Sequence, residues 1–207
     1  TINFIRRKNC KTTKCRLEEI ENWFCKNRQL RKWLSNKPVL TLAGRLTSWK
    51  GQEAFLSLLS ELKQRKIDFR GLVVGGANRK KVGYHKFLNE KTQQLGLSEC
   101  VKFLGNRPDL KQILSISTMT FSLTSKPEAF GRTTAESLSL GTPVIGYEHG
   151  GTGEILRKWF PDGLIDTNNI SKAAEKVEIF FNDTGSPALI KDPGDFDSIF
   201  VVMPMKG

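Results

Sequence analysis

Apolar and polar positions change period regularly along the chain, so that short apolar runs alternate with amphipathic segments. Runs typical of buried strands lie at 39–44, 69–76, 101–105, 119–124, 143–147 and 163–166. Segments with a helical apolar period lie at 16–35, 51–66, 83–95, 108–115, 132–140, 153–160 and 170–181. This alternation predicts an α/β fold, a Rossmann-like, doubly wound parallel sheet of about six strands with helices on both faces.

Composition shifts divide the chain into three regions. Residues 1–37 form a basic helical segment, read as a linker or as the edge of another, amino-terminal domain. Residues 38–182 hold the predicted sheet, with Pro108 expected to begin a helix and Gly96 and Gly141 expected to end two others. The pattern fades in residues 183–207, a tail to which no role is assigned.

Polar and glycine residues follow most of the predicted strands. In doubly wound sheets, ligands bind outside the carboxyl ends of the strands. The residues at those ends, in strand order, are Gly44-Arg45 with Lys50-Gly51, Gly75-Gly76, Gly105-Asn106-Arg107, Lys126-Pro127-Glu128 and Gly150-Gly151-Thr152. The sequence therefore predicts one ligand site along this edge of the sheet.

Two cations flank the loop after the first strand. Arg45 and Lys50 suit a diphosphate, because Arg grips phosphate oxygens in a fork and Lys adds a point charge. Gly75 would let the backbone approach such a ligand closely. The alternatives are solvated loop cations and an ordinary tight turn. Neither a G-x-G-x-x-G fingerprint nor a P-loop is present, which argues against a dinucleotide dehydrogenase and a P-loop NTPase.

The stretch KPEAFGRTTAESLSLGTPV, residues 126–144, places Glu128 and Glu136 around the start of a predicted helix. A helix start binds phosphate through its unpaired N–H groups. Glu136, about one turn into the helix, suits a vicinal diol such as ribose, and Glu128 suits hydroxyls of a second group on that phosphate. Alternatively, the two carboxylates are surface groups near the helix dipole, or the acid–base pair of a hydrolase, which would leave the cations unexplained.

Charge is concentrated at the amino-terminal end. Of a net charge of +12, residues 1–37 hold 11 Lys/Arg against 3 Asp/Glu, whereas residues 101–207 hold 11 against 13. The basic end suits an anionic membrane, a phosphorylated ligand or nucleic acid, or is simply a solvated face. Because no zinc-finger or RNP reader motif is present, nucleic acid is the disfavoured partner.

The sequence also predicts the cellular location of the protein and the redox state of its cysteines. No apolar run approaches the roughly 20 residues of a membrane span, and the first residues, TINFIRRKNCKTTKC, lack a signal peptide's apolar centre. We therefore expect a cytoplasmic protein, with peripheral membrane association as an alternative. The thiols are expected to be reduced, and a zinc site is disfavoured by their spacing; the cysteines are Cys10, Cys15, Cys25 and Cys100.

Five segments, in order, resemble one enzyme family. The segments LAGRLTSWKG, LVVGGA, VKFLGNRPDL and PEAFGRTTAESLSLGTPV, followed by IGYEHGGTGEIL, cover about residues 38–166. Together they resemble the carboxyl-terminal, donor-binding domain of the retaining GT-B glycosyltransferases of sequence family 4, including its Glu-x7-Glu motif. The resemblance implies a Rossmann-like nucleotide-sugar-binding domain over residues 38–182.

The resemblance also implies roles for individual residues. Arg45 and Lys50 would hold the donor diphosphate, Glu128 the transferred sugar and Glu136 the ribose. Main-chain groups would meet the base at Asn106 or Arg107, and the sugar and phosphate at Phe130, Gly131, Arg132 and Thr133. The implied reaction is transfer from a UDP-, GDP- or ADP-sugar with retention at the anomeric carbon, without a metal and with no protein nucleophile assigned.

The family's enzymes have two domains, and the acceptor-binding amino-terminal GT-B domain has no counterpart in this sequence. A chain of this kind is expected to bind the donor and to be incomplete for catalysis. Its acceptor could be lipid-linked at an anionic membrane. The alternative is a non-catalytic domain of the same fold that binds a nucleotide sugar or a protein partner.

Overall fold

The computed structural model describes residues 12–76 and 82–182, without the side chains of 12–17 and 82. The strands are β1 Val39–Ala43, β2 Arg70–Val74, β3 Val101–Gly105, β4 Met119–Ser122, β5 Val144–Tyr147 and β6 Leu164–Ile165. The α-helices are α1 Thr12–Lys26, α2 Arg28–Leu34, α3 Gln52–Gln64, α4 Val82–Gln94, α5 Leu110–Ile116, α6 Arg132–Ser139, α7 Gly150–Trp159 and α8 Ile170–Asn182. The predicted tail at 183–207 lies outside the described residues.

All six strands run parallel in the order β3-β2-β1-β4-β5-β6. Strands β2 and β3 lie on one side of β1, and β4, β5 and β6 follow on its other side. In register, Leu42 of β1 pairs with Val73 of β2 and with Phe121 of β4. The fold prediction of a doubly wound parallel sheet is confirmed. In sheets of this kind ligands bind where the strand order reverses, which here is between the loops that follow β1 and β4.

Both faces of the sheet are buried. Helices α3, α4 and α8 cover one face, in a core that includes Leu40, Phe121 and Ile145. Helices α1, α2 and α5 cover the other face over Val39, Leu72 and Val74, and α6 and α7 continue this layer beside β5. Because successive side chains in a strand point to opposite faces, the near-continuous apolar runs of the sequence supply both cores at once.

The predicted helix at 16–35 is two helices. The chain breaks at Asn27, whose side-chain amide donates to the carbonyl oxygen of Trp23 at 3.0 Å and whose Oδ1 accepts from Arg107 at 2.9 Å. Its backbone leaves the helical region, with ψ at 43°. Both helices pack on the sheet through buried Ile20, Trp23, Leu30 and Leu34. The described part of segment 1–37 is thus in contact with the sheet domain.

Two helix starts differ from the sequence prediction. Helix α5 begins at Leu110 and not at Pro108, because Asp109 uses its carboxylate on Arg107 and Trp23. Helix α7 begins at Gly150 and not at 153, so the predicted loop glycines form its first turn. Gly96, with a φ of 66°, follows α4 as predicted. None of the helices in the described ranges is both long and apolar enough to cross a membrane.

Candidate functional site

The loops after β1 and β2 lie against each other at the carboxyl edge of the sheet. The N–H of Leu46 donates to the carbonyl oxygen of Gly76 at 3.1 Å. Gly75 has a φ of 147° and approaches the carbonyl of Gly44 so closely that a Cβ would clash there. The buried amide of Gln52 donates to the carbonyl oxygen of Arg45 at 2.9 Å, which fixes the β1–α3 loop. These contacts hold the backbone of Arg45 and leave its side chain exposed at the edge.

Lys50 lies at the end of the same loop and faces the loop that follows β4. Its ammonium forms an ion pair with the carboxylate of Glu128, and the two side chains are 18% and 19% exposed. The ammonium also lies 4.5 Å from the ring centroid of Trp49. Burial lowers the pKa of Lys50, and the charge of Arg45 adds to that effect. The structure therefore brings the predicted phosphate cations and the predicted sugar carboxylate to one place.

The loop after β4 is tied to its neighbours on both sides. The N–H of Ser125 donates to the carbonyl oxygen of Trp49 at 2.9 Å, and the N–H of Gly151 donates to the carbonyl oxygen of Glu128 at 2.7 Å. The segment that carries Glu128 is thus held between the β1–α3 loop and the first turn of α7. Because β4 lies between β1 and β5 in the sheet, this loop spans the point where the strand order reverses.

Helix α6 begins at the predicted anion site. Gly131 precedes it in the left-handed conformation, with a φ of 57°, and a Cβ there would lie 2.8 Å from the backbone nitrogen of Thr152. Ala135 is bonded to the carbonyl of Gly131, so the N–H groups of Arg132 and Thr133 precede the first helical bond. The side chain of Phe130 is 60% exposed beside them. This helix start is suited to an anion.

Glu136 lies one turn into α6. It is partly buried, and this burial raises the pKa of its carboxyl, against the opposing effect of the nearby Arg132 guanidinium. A half-desolvated carboxylate is well suited to accept from hydroxyls, since it has lost some of its hydration before the ligand arrives. Its position on the helix, beyond the anion site, agrees with the predicted ribose role, which stays a prediction.

The loop after β3 contributes fewer side chains to the candidate site than the loops after β1 and β4. Asn106 lies beside Gly76, with its Cβ 3.5 Å from where a Cβ would stand on that glycine. The guanidinium of Arg107 binds the carboxylate of Asp109 at 2.6 Å and Oδ1 of Asn27 at 2.9 Å. The side chain of Arg107 thus joins α1 to α5. The predicted main-chain contact of Asn106 or Arg107 with the base stays a prediction.

Hydroxyl groups beneath the site were not anticipated from the sequence. Thr152 Oγ1 lies 2.9 Å from Ser122 Oγ and 3.3 Å from Thr134 Oγ1, which links β4, α6 and α7. The sequence placed Thr152 among the strand-end residues, but its contacts with Ser122 and Thr134 were not predicted. Nor was Gln52 singled out. Each follows a glycine at the start of a helix, Gly51 before α3 and Gly151 in the first turn of α7, and this is the signal that could have found them.

The described part of the chain has no cluster of side chains that could bind a metal, and the cysteine side chains described there are unpaired. No group of three or more His, Cys, Asp or Glu side chains there could hold a metal ion. The thiols of Cys25 and Cys100 are free, and burial raises the pKa of Cys100. Cys10 and the side chain of Cys15 lie outside what the structure describes.

The fold is a doubly wound α/β domain that gathers charged side chains at the carboxyl edge of its sheet. Residues 26–193 match the family described as glycosyl transferases group 1. The chain belongs to this family.

Curated relatives are bacterial glycosyltransferases. The chain is 32% identical over 149 residues to a D-inositol 3-phosphate glycosyltransferase of Corynebacterium urealyticum, an alignment that covers 70% of this chain and 35% of the relative. It is 36% identical over 120 residues to a mannosylfructose-phosphate synthase of Agrobacterium fabrum, covering 56% and 26%. The chain thus spans between a quarter and about a third of the length of these relatives.

Solved structures show the same fold. The HepE protein of Anabaena, in complex with UDP and glucose, superimposes with a TM-score of 0.74 at 26% identity, covering 88% of this chain and 47% of that one. A glycosyltransferase from Rickettsia africae superimposes with a TM-score of 0.73 at 25% identity, covering 96% and 49%. The described sheet therefore corresponds to about half of a GT-B glycosyltransferase chain.

Proposed function

We propose that this chain is the donor-binding half of a glycosyltransferase that transfers a sugar from a nucleoside diphosphate sugar with retention at the anomeric carbon. The observation that carries the proposal is the convergence of Lys50 and Glu128 at the strand-order reversal, directly beside the amino-terminal end of α6. A diphosphate needs cations and N–H donors, and its sugar needs carboxylate acceptors. Both kinds of group meet here.

The leaving diphosphate develops charge as the sugar departs. We propose that Arg45, Lys50 and the N–H groups that open α6 stabilise that charge without a metal. Lys50 suits this role because its ammonium is partly desolvated and would gain from a new anion. The structure pairs Glu128 with Lys50, and we propose that donor binding exchanges this partner of Lys50 for the diphosphate and frees Glu128 to contact the sugar.

Retention is inferred from the family resemblance, and the donor identity from relatives. The HepE structures hold UDP with glucose, and UDP-glucose. A UDP-sugar is therefore the first probe, with GDP- and ADP-sugars beside it.

The direct test is a thermal-shift panel of these sugar nucleotides against the matching free nucleoside diphosphates. A ligand at 100 times its dissociation constant stabilises the protein by about 2.7 kcal/mol. Glu136→Ala should weaken nucleotide and sugar nucleotide alike, whereas Glu128→Ala should weaken mainly the sugar-dependent increment. If no nucleotide stabilises the wild-type chain, the proposal fails. Equal losses for both ligands in both variants would overturn the division of roles.

An anionic membrane is the proposed location of the acceptor. Exposed Lys26, Arg28, Arg31 and Lys32 lie together where α1 meets α2. Such cations gain about 1 kcal/mol each near an anionic leaflet. The chain should sediment with phosphatidylserine vesicles at low salt, and Arg28→Glu/Arg31→Glu should abolish this. No binding by the wild-type chain would exclude the idea.

A further inference from the structure

His149 joins the β5–α7 corner to the loop that carries Glu128. It is the last residue before α7, and its ring nitrogen Nε2 lies 2.8 Å from the carbonyl oxygen of Thr124. Thr124 is buried at the beginning of the loop after β4. On its inner side the imidazole stacks beside the buried ring of Tyr147, with centroids 6.1 Å apart. The imidazole is thus held between a core aromatic ring and the first turn of the loop.

The partner fixes the tautomer of His149. A carbonyl oxygen can only accept, so Nε2 must carry the hydrogen. The other nitrogen, Nδ1, is buried, and within the described ranges no hydrogen-bond partner contacts it. The hydrogen bond therefore depends on the far nitrogen of the ring. A side chain that places a donor only at the position of the near nitrogen would not reach Thr124.

The same corner holds the loop at a second point. The N–H of Gly151 donates to the carbonyl oxygen of Glu128 at 2.7 Å. A Cβ on Gly150 would stand 2.6 Å from that carbonyl oxygen, and a Cβ on Gly151 would stand 2.5 Å from the carbonyl carbon of Phe130. The segment from Thr124 to Phe130 is thus laid along the residues from His149 to Gly151, with a hydrogen bond near its start and another at Glu128.

We propose that His149 is a positioning residue for donor-sugar recognition: its Nε2–H fixes the start of the 124–130 segment so that Glu128 is presented to the transferred sugar. This inference rests on the proposed function. Arg45 and Glu136 lie on the β1–α3 loop and on α6, and neither is held by His149. Loss of the His149 bond should therefore affect recognition of the sugar more than recognition of the nucleoside diphosphate.

The experiment compares two amides of different reach. Gln at position 149 can bring an amide N–H close to the place of Nε2, whereas Asn places it near Nδ1 and Leu offers no donor. Chains carrying His149→Gln, His149→Asn and His149→Leu are compared with a chain carrying Glu148→Gln. Glu148 is an exposed neighbour whose side chain binds Arg157 at 3.1 Å, so its variant controls for a change at the same corner.

Two readouts are measured. In the ligand-free chain, amide hydrogen exchange of the peptide covering 124–131 should speed up about three- to tenfold in the Asn and Leu variants, the range expected for one lost hydrogen bond. The ratio of UDP-sugar affinity to UDP affinity should fall by a similar factor in the same two variants. The Gln and Glu148→Gln variants should stay within about twofold of wild type in both readouts.

Several results would overturn the assignment. Asn behaving like Gln would show that the reach of the donor is irrelevant, and Gln behaving like Leu would show that the hydrogen bond is not what matters. Equal losses of UDP and UDP-sugar would indicate a general structural role. If the wild-type chain binds no nucleotide, the proposed function has failed and the sugar role of His149 falls with it. If the wild-type chain binds the UDP-sugar more tightly than UDP and the His149→Asn variant keeps that difference, the proposed role of His149 is wrong but the proposed function stands.

Discussion

At the scale of single residues, the carboxylate of Glu136 is expected to strengthen ligand binding and to weaken the fold. Burial raises the pKa of its carboxyl, so the folded chain favours the protonated form more than the unfolded chain does. At neutral pH the ionised carboxylate therefore weakens the fold, and this penalty is removed as the pH falls through the raised folded-state pKa. We propose that a ligand explains this destabilising carboxylate, because the ribose hydroxyls of the donor would donate hydrogen bonds to it.

Glu136→Gln should accordingly stabilise the free chain at pH 7, because it removes a charge from a partly buried position. The gain should shrink as the pH is lowered toward 4.5, the ordinary value for Glu. The same variant should bind nucleoside diphosphate about tenfold more weakly, because it loses a charge-assisted hydrogen bond. Denaturant unfolding across pH, with a nucleotide titration, measures both. A less stable variant at pH 7 would contradict the argument.

The Lys50–Glu128 ion pair gives a second prediction at this scale. Each group is the other's partner in the structure, and both side chains are mostly buried. Removing either leaves a partly desolvated charge, so Lys50→Met and Glu128→Gln should show a coupling of about 1–2 kcal/mol in a double-mutant cycle, between values typical of exposed and buried pairs. Saturating nucleoside diphosphate should reduce this coupling, because Lys50 then faces phosphate. Additive effects without ligand would refute the exchange of partners.

At the scale of elements, Asp109 joins α1 to α5. Its carboxylate accepts from the Trp23 indole at 2.6 Å and from the Arg107 guanidinium at 2.6 and 2.7 Å. Hydrogen bonding to Arg107 is the largest cause that lowers the pKa of Asp109 to about 2. Because the folded-state pKa is lowered, the stabilisation is complete above the ordinary value of 3.8 and is lost as the pH falls toward 2.

Asp109→Asn should therefore destabilise the chain by about 1–3 kcal/mol at pH 7, with the difference from wild type disappearing between about pH 4 and pH 2. Asp68→Asn is the matched control. Asp68 is 81% exposed and pairs only with Lys37 among the described contacts, so its loss should be close to zero. Thermal unfolding at several pH values tests the pair. A constant difference down to pH 2 would exclude the titration argument.

Elements whose bounds depend on nearby residues could be predicted from the sequence, whereas bounds that depend on residues far away along the chain could not. The strands were predicted to within a few residues, because apolar runs ending in Gly44 or Gly75 are local signals. The break at Asn27 and the start of α5 were missed, because they depend on Arg107 and Trp23, which lie some 80 residues away from their partners along the chain. The strand-end residues of the site were located, whereas their mutual contacts required the strand order, which places β4 between β1 and β5.

At the scale of the whole molecule, the candidate site lies at the carboxyl edge of the sheet. The described sheet presents Arg45, Glu128 and the exposed ring of Phe130 at its carboxyl edge. The match covers 47% of the HepE chain and 35% of the Corynebacterium relative. Transfer needs an acceptor held against the anomeric carbon and water kept away from it. The groups described in this chain are those that would bind the donor.

We therefore predict that the 207-residue chain binds a sugar nucleotide but transfers no sugar by itself. A fusion to the amino-terminal half of a structural relative such as HepE should release nucleoside diphosphate in an acceptor-dependent assay. The same fusion with Glu128→Ala should lose that release while keeping nucleotide affinity, because the variant removes a sugar contact and leaves Arg45 and Glu136. A fusion that binds donor tightly yet stays inactive with every acceptor tried would favour the non-catalytic alternative. Transfer by the isolated chain would show that its own surface already holds an acceptor.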